Sequence, residues 1–185
     1  MDLSATTLSA LKTYLGIAQS DTSKDELLTL LLASCSEAAE KYLGRYIVAR
    51  PVLQEPHDCQ GNKSKYLQLE QYPVTEITSI MQDGQAIPAD SFKADNYNGI
   101  LKKTCGHWHG IVMADYTAGL AADVQSVPKN IQLALWQWVA DILQMQQTGG
   151  LKSEGLGDYN VTYYDEHKIP ASAAMLLECY RKVSI

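Results

Sequence analysis

Basic charge is scarce in this chain of 185 residues: 15 Lys and Arg stand against 21 Asp and Glu, for a net charge of −6. Its only adjacent basic pairs of note are Lys102-Lys103 and Arg181-Lys182. Tight DNA binding needs many Lys and Arg set against phosphates, so this scatter argues against a DNA-binding protein. Long hydrophobic runs are missing as well. Charges break the longest apolar pattern every few residues, so no transmembrane span is expected. The start, Met1-Asp2-Leu3-Ser4, lacks the basic residues and apolar run of a signal peptide, which predicts synthesis in the cytoplasm. Four cysteines, Cys35, Cys59, Cys105 and Cys179, are far apart and in unlike contexts. Reduced thiols are the expectation in that compartment. There is no Gly-x4-Gly-Lys loop, no Gly-x-Ser-x-Gly elbow and no His-Glu-x-x-His. Gly155-Leu156-Gly157 lacks the third glycine of a dinucleotide fingerprint and reads as a flexible loop.

What the sequence does have is helical periodicity at both ends and turn-punctuated runs between. Leu8, Leu11 and Leu15 form one stripe of a helix over Thr6–Leu15, with Gly16 as its stop. A second helix is expected over Lys24–Leu43. Ser23 and Glu26 read as its capping box, Leu27, Leu28, Leu31, Cys35, Ala38, Ala39 and Tyr42 as its face, and Gly44 as its end. From Val48 to Thr117 the texture is β-prone. Lys65–Glu70, Glu76–Met81 and Ile111–Tyr116 read as strands, and Asp83-Gly84 and Asn98-Gly99 as hairpin turns. Pro128 opens a third helix to Gln147. Thr148–Asp158, with four glycines, reads as a mobile loop, and Val161–Tyr164 as a short strand. A last helix runs from Pro170 to Lys182, with Ala173, Leu176, Leu177 and Tyr180 inward. The expected fold is α+β: mainly a helical bundle, residues 1–47 and 126–185, with a small antiparallel β module over 48–117 inserted in a single domain of 1–185.

Two features bear on chemistry. His57-Asp58-Cys59 and Cys105-Gly106-His107-Trp108-His109 bring three of the four histidines close in sequence to two cysteines. Alternate residues of an extended segment share a side, so Cys105, His107 and His109 have the pattern to converge. Zinc, however, takes about four ligands in a tetrahedron, neither group has knuckle spacing, and Gly106 loosens the geometry. The expectation is no metal, no disulfide, no cofactor and a polar loop anchored by Trp108. The third helix is apolar on two sides. Ile131, Ala134, Leu135, Trp138, Ile142 and Met145 form one stripe; Leu133, Trp136, Ala140 and Leu143 form another. A helix apolar on two sides is buried twice, either under the β module or against a neighbouring subunit.

In order, these segments resemble a known family. Leu11-Lys12-Thr13-Tyr14-Leu15-Gly16-Ile17, an acidic spacer to Asp25 and a helix ending Ala39-Glu40-Lys41-Tyr42-Leu43-Gly44-Arg45 resemble the N-terminal signature of the gp6-like phage head–tail connector proteins. Tyr72-Pro73-Val74, Asp83-Gly84, Asp115-Tyr116-Thr117-Ala118-Gly119, Val127-Pro128 and Ile169-Pro170 follow in the family's order. The Cys/His stretch matches no family motif. The resemblance implies a structural, non-enzymatic subunit that forms a ring on the portal with the portal's twelvefold symmetry. Such a ring extends the DNA channel, with DNA as passing cargo only, and receives the next neck or tail protein. Its place is the virion neck, without membrane contact. On this reading Leu133, Trp136, Ala140 and Leu143 are the candidate subunit contact, because a ring is built head to tail from a patch that a monomer would not leave bare. Tyr180, Arg181, Lys182 and Ile185 are the candidate portal contact. The rival readings are a small zinc-binding module or enzyme using the Cys/His group, and another neck or tail-completion protein.

Overall fold

The computed structural model describes residues 4–61, 63–147, 153–156, 159–162 and 169–182. In chain order the elements are α1 (Leu8–Tyr14), α2 (Asp25–Leu43), β1 (Arg50–Asp58), β2 (Tyr66–Gln68), β3 (Val74–Gln82), β4 (Gln85–Ala86), β5 (Phe92–Asp95), β6 (Ile100–Lys103), β7 (Ile111–Ala118), α3 (Lys129–Gln147), β8 (Ser153–Leu156), β9 (Tyr159–Thr162) and α4 (Ala171–Leu177). The chain divides into two compact units, one of Met1–Gly44 with Val127–Ile185 and one of Arg45–Ser126. The expectation of a mainly helical bundle is overturned. Helix takes 38% and strand 26%, and the β region forms two antiparallel sheets of four and three strands. The helical weighting failed because β1 and β3 are nine-residue strands. Prolines and polar residues mask their alternation in the sequence.

In the helical unit, local chemistry sets the helix ends. Thr7 caps α1, its hydroxyl accepting from the Ala10 N–H at 3.3 Å. The end of α1 is a Schellman motif: Ile17 N–H reaches the Lys12 carbonyl at 2.9 Å, and Gly16 N–H the Thr13 carbonyl at 3.2 Å. Gly16 has φ +70°, the left-handed conformation this motif requires. The capping box predicted for α2 does not form. Ser23 turns back instead, giving both its hydroxyl (2.6 Å) and its N–H (3.0 Å) to Asp21 Oδ1. The buried face of α2 is rotated from the predicted one and runs Leu28, Leu32, Cys35, Ala39, Leu43. Leu27 is exposed, and Leu31, Ala38 and Tyr42 are half-buried. The rotation lets Ser36 face inward, where it accepts the Ala5 N–H at 3.1 Å and pins the N-terminal segment. Between α3 and α4, Ser153–Leu156 pairs antiparallel with Tyr159–Thr162. The predicted loop is therefore strand at Ser153–Leu156, and residues 148–152 and 157–158 of it lie outside the described residues.

Lys12 holds the α1–α2 connection. Its side chain is only 3% exposed. All three ammonium protons are used: Gln19 O at 3.1 Å, Asp21 O at 2.7 Å and Asp25 Oδ1 at 2.8 Å. A buried ammonium is tolerated only when so satisfied. Lys12→Ala leaves two carbonyls and a carboxylate without donors, and roughly 2–4 kcal/mol of stability should go with it. A urea midpoint equal to wild type would show that Lys12 is not a clamp.

In the β unit every strand pair is antiparallel. The four-stranded sheet runs β1-β7-β3-β4 and the three-stranded sheet β2-β6-β5. Central β7 alternates: Val112, Ala114, Tyr116 and Ala118 are buried, with the residues between them more exposed. β1 carries Pro51 and Pro56 and so lies at an edge, where a missing N–H breaks no central ladder. Asp83 and Gly84 have φ +49° and +78°, the two positive values a type I′ turn demands. The Asn98-Gly99 signal belongs to a longer connection between β5 and β6, in which the Asp95 carboxylate accepts from the Asn98 side chain at 2.8 Å. A Cβ on Gly119 would lie 2.4 Å from the Ala49 Cα, so only glycine lets these two backbones approach. Trp108, Leu69, Leu101, Ile80, Val112 and Tyr116 centre the core of this unit.

Candidate assembly surfaces

The Cys/His group does not gather into one site. Cys59 is buried in the apolar core, its N–H bonded to Gly110 O at 2.8 Å. Burial is the main cause that pushes its thiol above the ordinary range, with Asp58 adding to it. Cys105 and His107 are exposed. His109 Nδ1 lies 3.4 Å from Asp83 Oδ2. Among the described residues no three His, Cys, Asp or Glu side chains are grouped to hold a metal ion. Trp108 anchors the segment, fully buried, with its indole N–H donated to Leu101 O at 3.2 Å.

The polar constellation that sequence reasoning missed lies in β1. Glu55 is 8% exposed. Its Oε2 accepts the Tyr116 hydroxyl, and its Oε1 accepts the Glu70 N–H at 3.0 Å. His57 Nε2 stands 2.7 Å from Oε1. The Tyr116 oxygen in turn accepts the Gln71 N–H at 3.0 Å. Burial pushes the Glu55 carboxyl up, but His57, Tyr116 and the Glu70 N–H outweigh it and hold it below its ordinary value. Burial and the Glu55 bond push the Tyr116 phenol well up. Glu55 faces inward because a bulge at Gln54, φ +55°, shifts the register of β1 between Val52 and Glu55. The Gln54 N–H is fixed at 2.6 Å by Asp115 Oδ1, whose other oxygen takes the Ser79 hydroxyl at 2.7 Å. These contacts tie β1 to β7 and to the start of the segment after β2.

Helix α3 carries the predicted contact stripe. Ile131, Ala134, Leu135 and Val139 are buried; Leu133, Trp136, Ala140 and Leu143 are half-buried. Trp136 is engaged inside the chain on one side. Its indole N–H is donated to Thr6 Oγ1 at 3.2 Å, and its ring centroid lies 5.6 Å from that of Tyr14. The predicted portal residues lie just past α4 and are tied to the end of α2. Lys182 N–H is donated to Leu43 O at 2.7 Å. The Tyr42 hydroxyl is donated to Glu178 at 2.5 Å. Arg181 lies 5.4 Å over the Tyr42 ring and 3.5 Å from the Glu178 carboxylate. Tyr180 is half-buried, and Ile185 lies outside the described residues.

A helix covered nearly all round and a tail laid on a neighbouring helix end suit a part made to be packed among other parts. The family model for the head completion protein matches residues 4–183, and the chain belongs to that family. Its role is that of a structural head–tail connector. No curated protein matches the sequence. Among solved structures the chain is similar to one in the neck of an empty gene transfer agent particle computed with C6 symmetry. The TM-score is 0.67 and the identity 17%, over 99% of this chain and 92% of that one. It is likewise similar to a chain in the neck of the native particle computed with C12 symmetry, with TM-score 0.64 and 17% identity over the same shares. At that identity the likeness is one of fold.

Proposed function

We propose that this chain forms a ring in the neck of a tailed virion, twelvefold on the portal. The ring extends the DNA channel, receives the next neck or tail protein, and acts as a structural part rather than an enzyme. One observation carries the reading: a head completion family match over residues 4–183, on a fold like that of neck chains from particles treated with sixfold and twelvefold symmetry. The whole chain, 1–185, serves as one connector made in the host cytoplasm, with DNA only passing through. The subunit contact is Leu133, Trp136, Ala140 and Leu143, whose half-buried side chains keep apolar area for a neighbour. The portal contact is Tyr180, Arg181, Lys182 and Ile185, of which Tyr180 closes the last helical segment.

Electron microscopy of the purified chain, alone and mixed with the cognate portal, tests this directly. Rings are expected, with twelve subunits when seated on the portal. Because Trp136 also packs on Tyr14, the contact is better probed by Leu143→Glu, which places a charge where desolvation is costly. Ring formation should fail in that variant while its circular dichroism stays that of wild type. A chain that forms no rings and leaves the portal bare ends the proposal. Wild-type rings from Leu143→Glu would move the contact elsewhere.

A further inference from the structure

From Ile131 to Leu143 no side chain of α3 is exposed. Buried Gln132 donates its side-chain N–H to Val127 O at 2.8 Å; two further polar residues one turn apart, Gln137 and Asp141, interrupt the apolar surface. Gln137 Oε1 is buried with no hydrogen-bond partner. Asp141 is half-buried and has no hydrogen bond or cation among the described residues. Burial pushes its carboxyl above its ordinary value. Positions four apart on a helix are neighbours, about 5–6 Å between Cβ atoms. The half-buried Asp141 carboxylate, beside an unsatisfied amide oxygen, is an acceptor that suits a cationic donor. Gln137 also neighbours Leu133 and Ala140 by helical spacing, so this acceptor pair borders the proposed subunit contact.

The complementary charge lies on the three-stranded sheet. Lys102 is paired across the ladder with Tyr66 on one side and with Lys93 on the other. All three side chains are exposed. Lys102 Nζ lies 5.3 Å from the Tyr66 ring. Neither lysine meets a carboxylate among the described residues. Like charges directly across a ladder are destabilising, so the chain keeps this row at a cost.

Resting on the ring reading, we propose that Asp141 of one copy, one turn from Gln137, receives the Lys93–Lys102 row of the next copy. A closed ring needs two unlike surfaces on each subunit, and these two are unlike in sign and in place. Neither meets an opposite charge among the described residues, and pairing them neutralises both. Opposed charges at such a contact also fix the register of neighbours and suppress wrong pairings.

The test uses the full chain and reads ring assembly against protein concentration by mass photometry. Asp141→Lys and the double Lys93→Glu/Lys102→Glu should each raise the concentration for half-assembly at least about tenfold. Combining them should restore assembly toward wild type. Asp141→Asn, nearly the same shape, should weaken assembly less and leave the melting temperature unchanged. If wild type forms rings and the charge variants assemble equally well, the pairing is overturned and the ring stands. Weakened single variants without rescue in the combination also overturn it, since the two surfaces then meet different partners. A lower melting temperature for Asp141→Asn with unchanged rings would assign Asp141 to a partner within its own chain. A wild type that forms no ring, alone or on the portal, removes the ring reading and this pairing with it.

Discussion

Trp108→Ala is expected to cost the Arg45–Ser126 unit about 3–5 kcal/mol, the range for deleting a fully buried aromatic side chain. The indole is 0% exposed and stands among Cys59, Leu67, Leu69 and Leu101 in the core of that unit. Phe92 packs at 6.3 Å between ring centroids, and the Lys103 ammonium lies 4.8 Å from the indole ring. Truncation opens a cavity that a sheet closed by short turns fills poorly. It also strips the Leu101 carbonyl of the indole N–H, and an unsatisfied buried acceptor adds its own penalty. A loss of that size is a large part of a whole domain's stability. Denaturant unfolding followed by far-ultraviolet circular dichroism should show the strand signal lost well before the helical one. Trp108→Phe keeps most of the volume and loses the hydrogen bond, so it should fall about 1–2 kcal/mol below wild type. A Trp108→Ala midpoint within about 0.5 kcal/mol of wild type would mean that the loop from Cys105 to Gly110 is held by something else.

The second large effect is at Glu55. Glu55→Ala removes the acceptor of the Tyr116 hydroxyl and of the Glu70 N–H, and the charge opposite His57. The buried Tyr116 hydroxyl and the part-buried Glu70 N–H are then unpaired, for roughly 2–4 kcal/mol. Glu55→Gln should not rescue it, because its NH2 group brings protons to a site already supplied with donors. The network also makes stability depend on pH. The folded carboxyl titrates below its ordinary value of 4.5. The folded state therefore holds fewer protons than the unfolded one in that window. Its contribution is complete above pH 4.5 and is lost as pH falls through the folded value. Tyr116 acts at the other end. Its phenol is raised above 10.0, so its contribution is complete below pH 10.0 and declines as pH climbs from there. Thermal melts from pH 3 to 7 should show a steeper acid loss in wild type than in Glu55→Ala. Parallel curves would take Glu55 out of the acid response.

Features fixed by one or two adjacent residues were legible in the sequence. Gly16 ends α1, Gly44 ends α2, Asp83-Gly84 makes its hairpin, Pro128 precedes α3 and Trp108 anchors its loop. Each depends on a local backbone constraint that a residue name reveals. Features depending on phase were not legible. Ser23 was free to bond Asp21 instead of capping α2, because the same hydroxyl suits either partner. The buried face of α2 is rotated because Ser36 has an inward use, the Ala5 N–H, that polarity alone does not announce. In β1 the bulge at Gln54 changes the reading frame, so a glutamate that looks outward is a core residue. Lys12 gives no warning either, since its three acceptors come from a loop and from the next helix.

The β unit is an insertion whose two ends are sewn together. Leu120 N–H is donated to Tyr46 O, Ala121 N–H to Ile47 O and Ala49 N–H to Ala121 O, at 3.0, 2.9 and 2.7 Å. This has a kinetic consequence. Helices α2 and α3 pack on one another, yet some eighty residues of the β unit separate them in the chain. Closing so long a disordered loop costs about 2–3 kcal/mol more entropy than closing one of a few residues. Once the β unit has folded, its stitched ends replace that loop with a short staple, and the search for the α2–α3 contact becomes nearly local. The order of events thus favours strands before the helix pair, although helices taken alone form faster.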